Sequence, residues 1–364
     1  MRLAHWGFVA LPVMVAAHVA AGQGSLASRV AAAPDGVVRF QFASRSGVCG
    51  DGRDVVGYRG TMYGEQFQSR GRWSDVACVA GPIRVSLSVQ GGSVVRERVQ
   101  VGGGWSSSAE HVTDIGSIGA RDASEYLFSL VPRLEATSNR RRLLLAPVLA
   151  DSTNAMPQLL RLARDEARLR ETRTEALEWV GTIGDASVVP ALVEFGRGAR
   201  AGDDDTRGNG LSSSAVAALS FLDDWVGVPA LIDLARTGPT SARRSAVFWL
   251  GQSGDPRALK TLHTVIADAR EDIEVRKNAI FSLGQSQEAS TADIVGLYRT
   301  LSDAALREQV IFAISQRHDD ASLDALIAIA RDDADRPMRS KALFWLGQRH
   351  DPRATKVISE MILK

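Results

Sequence analysis

Ser241 to Leu262 reads SARRSAVFWLGQSGDPRALKTL, and Arg339 to Thr355 reads RSKALFWLGQRHDPRAT, with weaker copies between and before. Self-similarity at a fixed period constrains a fold more than composition does, because each copy must be one structural unit that buries its apolar face against the next. Aligned on the residue that closes the FWLG-type run, the copies give Gly181, Ser220, Gly251, Gly284, Ser315 and Gly347, at intervals of 39, 31, 33, 31 and 32 residues. The long interval holds an insertion, GRGARAGDDDTRGNG, over 196–210. Leu149, 32 residues before Gly181, fits as a degenerate first anchor.

One residue before the anchor every copy is apolar, from Val180 and Leu219 to Leu346, and four before it likewise, from Leu177 and Val216 to Leu343. Five before it the residue is Ala in all copies but Val310. Offsets of three and four share one side of a helix, so the spacing predicts a first helix with its core face there. The Gly or Ser at the anchor reads as that helix's end. Four after the anchor stands an acid in every copy (Asp185, Asp224, Asp255, Glu288, Asp319, Asp351), followed by Pro256 and Pro352 in two. An acid that accepts orphan backbone N–H groups, with Pro at the first helical position, predicts the start of a second helix. Eleven after the anchor, Leu192, Leu231, Leu262, Val295, Leu326 and Ile358 mark its core face.

Eight before the anchor lies Arg173, Arg243, Arg276, Arg307 or Arg339, with Ser212 breaking the series. Stacked cations repel one another unless carboxylates interleave; the capping acids and Asp272, Asp303 and Asp335, each four residues before its arginine, are the candidates. This ladder reads as structural, with an acidic ligand as the alternative.

This pattern of arginine, small apolar core, Leu-Gly, Asp-Pro and Leu resembles the HEAT repeat, in the short bacterial form first noted in phycobilisome lyases. The resemblance covers roughly Ser138 to the C-terminus, 138–364, as about seven units with the first degenerate. It implies a mostly α fold, a right-handed α-solenoid of helix pairs whose second helices line a concave face. It does not imply lyase activity.

Ahead of the repeats the composition changes. Residues 1–22, with one Arg before an apolar run from Trp6 to Ala21 and small residues after it, resemble a secretory signal peptide. The chain is therefore expected in the periplasm or secreted, with no stable membrane span once that peptide is cleaved. A retained anchor is the alternative, but the run falls short of the roughly 20 residues that span a bilayer. Residues 23–36 read as a linker. Over 37–105 a small β-rich module is predicted, with alternating runs at Val37–Phe42, Pro82–Gln90 and Ser93–Val101, the last two joined as a hairpin by Gly91 and Gly92. Both cysteines, Cys49 and Cys78, fall inside it and are expected to form one disulfide. Residues 106–137 form a connector with a helix over 122–131 that stops near Pro132.

The chain of 364 residues carries 43 basic and 42 acidic side chains, a balance that gives no support to nucleic-acid binding. No HExxH, paired CxxC, GxSxG, phosphate loop or dinucleotide fingerprint occurs, so no catalytic residue, cofactor or metal is predicted. The serines at 106–108 with His111 lack an elbow and an acid. Asp203, Asp204 and Asp205 with Asn209 lack the alternation of a calcium loop and read as a polar loop.

One feature stands outside the repeat pattern. Three before the anchor stand Phe248, Phe281, Phe312 and Phe344, and one after it Gln252, Gln285, Gln316 and Gln348. Offsets of four place each Phe beside its Gln on the side opposite the small-residue face. Trp249 and Trp345 flank two of the rings, and Trp179 holds the matching place earlier. Either these side chains pack between units or they form a partner-binding stripe. The expected function is an exported, non-enzymatic scaffold that binds a protein partner. An enzyme or enzyme subunit with its site in the β module or its junction is the alternative. A second is a carbohydrate-binding envelope protein using Tyr58, Tyr63, Trp73 and Trp105.

Overall fold

A computed structural model describes residues 24–63, 78–105, 111–137, 142–198 and 210–362. The expected signal peptide lies outside these residues, as do Trp73, Ser106 to Ser108, the aspartates of the insertion and Asn209. The chain divides into two compact units, Met1–Leu134 with Leu149–Ser152, and Glu135–Val148 with Thr153–Lys364. No helix among the described residues is long and apolar enough to cross a membrane.

The first unit is built on strand alternation. In β1 (Gly36–Phe42), Val38, Phe40 and Phe42 are buried while their neighbours are not. The small sheet of β2 (Cys49–Gly50), β3 (Val56–Tyr58), β4 (Thr61–Tyr63) and β5 (Val79–Ala80) runs in the order β4-β3-β2-β5. The main sheet adds β6 (Ile83–Gln90), β7 (Ser93–Val101) and β8 (Val112–Ser117), in the order β7-β6-β1-β8. β6 buries Ile83, Val85, Leu87 and Val89 on one face. Gly91 and Gly92, at φ 54° and 69°, supply the left-handed turn that closes the β6–β7 hairpin. Cys49 and Cys78 form a disulfide with their Cα atoms 5.1 Å apart. A Cβ at Gly57 would lie 2.9 Å from one sulfur and 3.2 Å from the other, so the bridge packs directly on the backbone of β3.

Three expectations for this part are corrected. The stretch read as a linker contains helix α1 (Leu26–Ala31), capped by Ser25, with Leu26 and Val30 buried and Arg29 donating to the Ile115 carbonyl at 3.0 Å. The connector contributes β8, which pairs parallel to β1. Its helix, α2 (Ala120–Thr137), runs through Pro132 instead of stopping there. Internal proline costs about 3 kcal/mol, but Leu127, Leu130, Val131 and Leu134 are buried on both sides of it and keep the helix docked.

Among the described residues the second unit holds seven helix pairs. They are α3 (Leu145–Val148) with α4 (Met156–Arg164), α5 (Arg170–Ile183) with α6 (Val189–Arg197), α7 (Leu211–Phe221) with α8 (Val228–Thr237), α9 (Thr240–Gln252) with α10 (Pro256–Ala267), α11 (Ile273–Gln285) with α12 (Thr291–Thr300), α13 (Ala304–Ser315) with α14 (Asp320–Asp332), and α15 (Arg336–Gly347) with α16 (Pro352–Ile362). The first pair is degenerate in structure too, its first helix being a single turn. Most expected core positions are buried: Leu177, Val216, Val247, Ile280 and Ile311, and, on the second helices, Leu192, Leu231, Leu262 and Leu326; Leu343, Val295 and Ile358 are only half-buried, and on α12 and α16 the neighbouring Ile294 and Val357 take the core place. Asp185, Asp255, Asp319 and Asp351 accept backbone N–H groups at second-helix starts. Two copies differ. Ser290 caps α12 in place of Glu288, and Asp224 sits at φ 55° without capping.

The arginine ladder is structural, and by a route other than the one expected. Arg173 donates to the Ala163 carbonyl at 3.0 Å, Arg276 to Ile266 at 2.9 Å, Arg243 to Gly238 at 2.8 Å and Arg339 to Asp333 at 2.7 Å. Each of these carbonyls lies at or just beyond the end of the preceding second helix, where helices leave acceptors unsatisfied. Ser212 has the same task with a shorter side chain, donating to the Gly196 carbonyl at 2.9 Å. The carboxylates that pair with the ladder are Glu271 on Arg243 and Asp333 on Arg307. Asp272 and Asp303 instead cap α11 and α13.

The anchor glycine also has another role than helix termination. α5, α9 and α11 continue past Gly181, Gly251 and Gly284. A Cβ at Gly181 would meet the Ala218 Cα at 2.6 Å, at Gly251 the Ser282 Cβ at 2.6 Å, and at Gly284 the Ala313 Cβ at 2.8 Å. The missing side chain lets consecutive first helices touch backbone to backbone.

Candidate functional site

The first helices meet by two rules, and these rules decide where the rings go. The residue two before the anchor faces the anchor of the preceding unit. After a glycine anchor it is small: Ala218 after Gly181, Ser282 after Gly251, Ala313 after Gly284. After a serine anchor it is tryptophan: Trp249 after Ser220 and Trp345 after Ser315. Those indoles reach back across the seam. Trp249 meets Phe221, next to Ser220, edge-on at 5.3 Å, and Trp345 meets Phe312 at 5.3 Å.

On this frame the phenylalanines lean on neighbours and keep an edge in water. Phe248 is 37% exposed and Phe344 57%. Phe281 and Phe312 are half-buried and stack with centroids 6.2 Å apart. Phe248 packs edge-on to Trp249 at 5.2 Å, and Phe344 to Trp345 at 5.1 Å. The rings thus fall into two clusters, Phe221 with Trp249 and Phe248, and Phe281 with Phe312, Trp345 and Phe344. Gln252, Gln285, Gln316 and Gln348 are all exposed beside them, so amide donors and acceptors alternate with ring edges.

Trp179 is not part of this surface. It is buried, with its indole N–H 3.4 Å from Glu175 Oε1, which also accepts the Leu144 N–H at 3.1 Å. Burial pushes the Glu175 carboxyl up to about 7, against the opposing pull of those donors. A carboxyl that holds its proton more tightly folded than unfolded stabilises most below its ordinary value, and that contribution drains away as pH rises toward about 7. The urea midpoint of the helical unit is therefore expected to fall between pH 5 and pH 8 by more in wild type than in Glu175→Gln. Parallel profiles for the two proteins would rule this out.

Two aromatic residues escape the Phe–Gln pattern. Phe221 occupies the glutamine position of its own unit and is 42% exposed; Trp225, in the following turn, is 53% exposed. The offset from the anchor reveals the first, whereas nothing periodic reveals the second. Asp224 and Trp225 sit at φ 55° and 56°, a left-handed conformation that costs non-glycine residues on the order of 1–3 kcal/mol each.

In the first unit, Cys49 and Cys78 are bonded to each other and neither is a thiolate. Tyr58 and Tyr63 are buried in the small sheet, and Trp105 lies under the Arg39 and Arg84 guanidiniums at 5.0 and 6.0 Å. A cleft of about 630 Å³ between α1, the β6–β7 hairpin and α2 is lined by Val30, Val94, Tyr126, Leu130 and Arg133 among others, but not by Cys49, Cys78 or His111. Burial pushes the Tyr126 phenol up to about 12.

Residues 228–315, from the start of α8 to the end of α13, match a family model of HEAT repeats. Helices α8 to α13 are thus HEAT repeats. Solved structures similar to this chain include the complex of CpcE and CpcF of phycocyanin lyase from Nostoc sp. PCC7120, at 22% identity over 44% of this chain and 99% of that one, with a TM-score of 0.34. Human deoxyhypusine hydroxylase aligns at 17% identity over 66% and 97% of the two chains, TM-score 0.28. YibA of Escherichia coli aligns at 15% identity over 66% and 80%, TM-score 0.36. No curated protein matches the chain.

Proposed function

We propose that this chain is an exported, non-enzymatic scaffold whose HEAT array binds another protein through the Phe–Gln stripe. The observation that carries the reading is the exposure of Phe248 and Phe344 at the same repeat position, two repeats of half-buried rings between them. Contiguous exposed apolar surface marks interaction sites, and aromatic anchors dominate interface energy. Export is supported by the composition of residues 1–22 and by the disulfide, since such bonds persist in oxidising compartments.

The test compares proteins recovered with wild type, with Phe248→Ser/Phe344→Ser, and with Leu169→Ser, an exposed apolar residue off the stripe. A partner held by wild type and Leu169→Ser but lost by the double variant is the expected result. Equal recovery by all three would reject the stripe as the interface. For export, the protein isolated from its native cells is expected to begin after residue 22 in the periplasmic or culture fraction; recovery from the cytoplasm with an intact N-terminus would reject it.

A further inference from the structure

The main sheet of the first unit has a second face. Val38, Phe40 and Phe42 of β1 turn to the core, so Val37, Arg39 and Gln41 stand on the other side. The strand register carries that face across β6 and β7. Arg39 pairs with Ser86 and Ser86 with Arg98; Gln41 pairs with Arg84; Ser88 pairs with Arg96. Four arginines therefore share one open surface, with Arg39 and Arg98 two strand spacings apart, roughly 10 Å. Ser86 and Ser88 lie between them, half-buried. Among the described residues, two carboxylates pair with this group, one at each edge. Asp114 on β8 holds Arg39 at 2.8 Å, and Asp54 holds Arg98 at 2.9 Å. Arg84 donates to the Gly102 carbonyl, and the exposed Arg96 makes no ion pair. Asp51 and Arg53, in the same loop as Asp54, add one charge of each sign. The face thus keeps an excess of two positive charges. The Trp105 ring centre lies 5.0 Å from the Arg39 guanidinium carbon and 6.0 Å from that of Arg84, which holds both cations at the surface.

We propose that this face of the β unit binds an acidic glycan, a sugar chain that carries carboxylate or sulfate groups. The inference is separate from the Phe–Gln stripe and uses none of its residues. Guanidinium forks take oxyanions through paired N–H donors, and arginine is the residue best shaped for that contact. The Arg39 and Arg98 pairs with carboxylates are partly exposed, and such pairs are worth little against water, so an incoming anion displaces them readily. Serine hydroxyls and the Gln41 amide, set among the cations, match the hydroxyl groups of a sugar chain. The face is a flat sheet surface, which suits an extended chain better than an enclosed small molecule. A nucleic acid fits less well. Its bases call for several stacking rings, and Trp105 is the single ring that contacts these arginines among the described residues.

The probes are polygalacturonate, dextran sulfate, neutral dextran and a single-stranded oligonucleotide, each titrated calorimetrically into the full chain. At least one of the two acidic glycans is expected to bind about tenfold or more tightly than neutral dextran, and to weaken as salt is added. Their ranking tells whether carboxylate or sulfate is preferred. Arg84→Gln/Arg96→Gln is expected to weaken the better glycan by about tenfold, and Arg96→Gln alone by about threefold. The single variant guards against misfolding, because that side chain is exposed and holds no ion pair. Arg236→Gln/Arg299→Gln, which removes two exposed arginines of the helical unit, is expected to bind as wild type does. Phe248→Ser/Phe344→Ser is expected to keep the glycan whether or not it loses the protein partner, so the two readings fail separately. Failure of both acidic glycans to bind, affinity equal to that for neutral dextran, or tighter binding of the oligonucleotide would overturn the proposal. So would wild-type affinity in both sheet variants, or an equal loss in Arg236→Gln/Arg299→Gln.

Discussion

Gly251→Ala will destabilise the helical unit, whereas the same substitution at Gly347, the equivalent position of the last pair, will not. At Gly251 the added methyl carbon would stand 2.6 Å from the Ser282 Cβ and 2.7 Å from its carbonyl oxygen. Neither is the mobile end of a side chain, so α9 and α11 must separate and surrender contacts along their length. Overpacking of this kind costs roughly 1–3 kcal/mol, set against a gain of up to about 1 kcal/mol from replacing a mid-helix glycine. Gly181→Ala, which would meet the Ala218 Cα and carbonyl oxygen at 2.6 Å, belongs with Gly251. At Gly347 nothing lies within 4 Å, leaving only the propensity gain. Urea denaturation of the three variants checks this, and a neutral Gly251→Ala would remove close approach as the reason for glycine there.

The second large effect concerns the disulfide. Converting both Cys49 and Cys78 to serine is expected to lower the stability of the β unit by about 3–4 kcal/mol, the chain-entropy value for a loop of about 30 residues. The small sheet it closes has strands of only two or three residues and little core of its own. Hydrogen exchange at the β2 and β3 amides should rise on reduction, while the amides of α9 and α11 stay protected. Unchanged exchange in β2 and β3 would contradict the assignment.

The helical unit was legible because every copy of a repeat position meets the same surroundings. Leu250 and Leu283 report one environment twice, and their neighbours identify it. The anchor glycine is ambiguous for a related reason. A glycine that ends a helix and a glycine that admits the next one look alike until the facing residue, Ser282 or Ala313, is known. The ladder arginines were visible as a series, but their partners are backbone carbonyls, which carry no side-chain signal. α1 and β8 escaped because six residues apiece hold too few apolar positions to show a period. The Phe–Gln stripe could be read from offsets alone. Its degree of exposure could not, since that depends on whether the neighbouring unit brings an indole or a methyl group to the seam.

The pairing of anchors with the residue two before the next anchor also limits how an array of this kind can be lengthened. The unit of α11 and α12 presents Ser282 to the unit before it and Gly284 to the unit after it, so tandem duplication there would leave every joint matched. Copying the unit of α9 and α10 would bring Trp249 against Gly251, and copying that of α13 and α14 would set Ala313 against Ser315. Growth by gene duplication is thus easy at one place in this chain and obstructed at its neighbours.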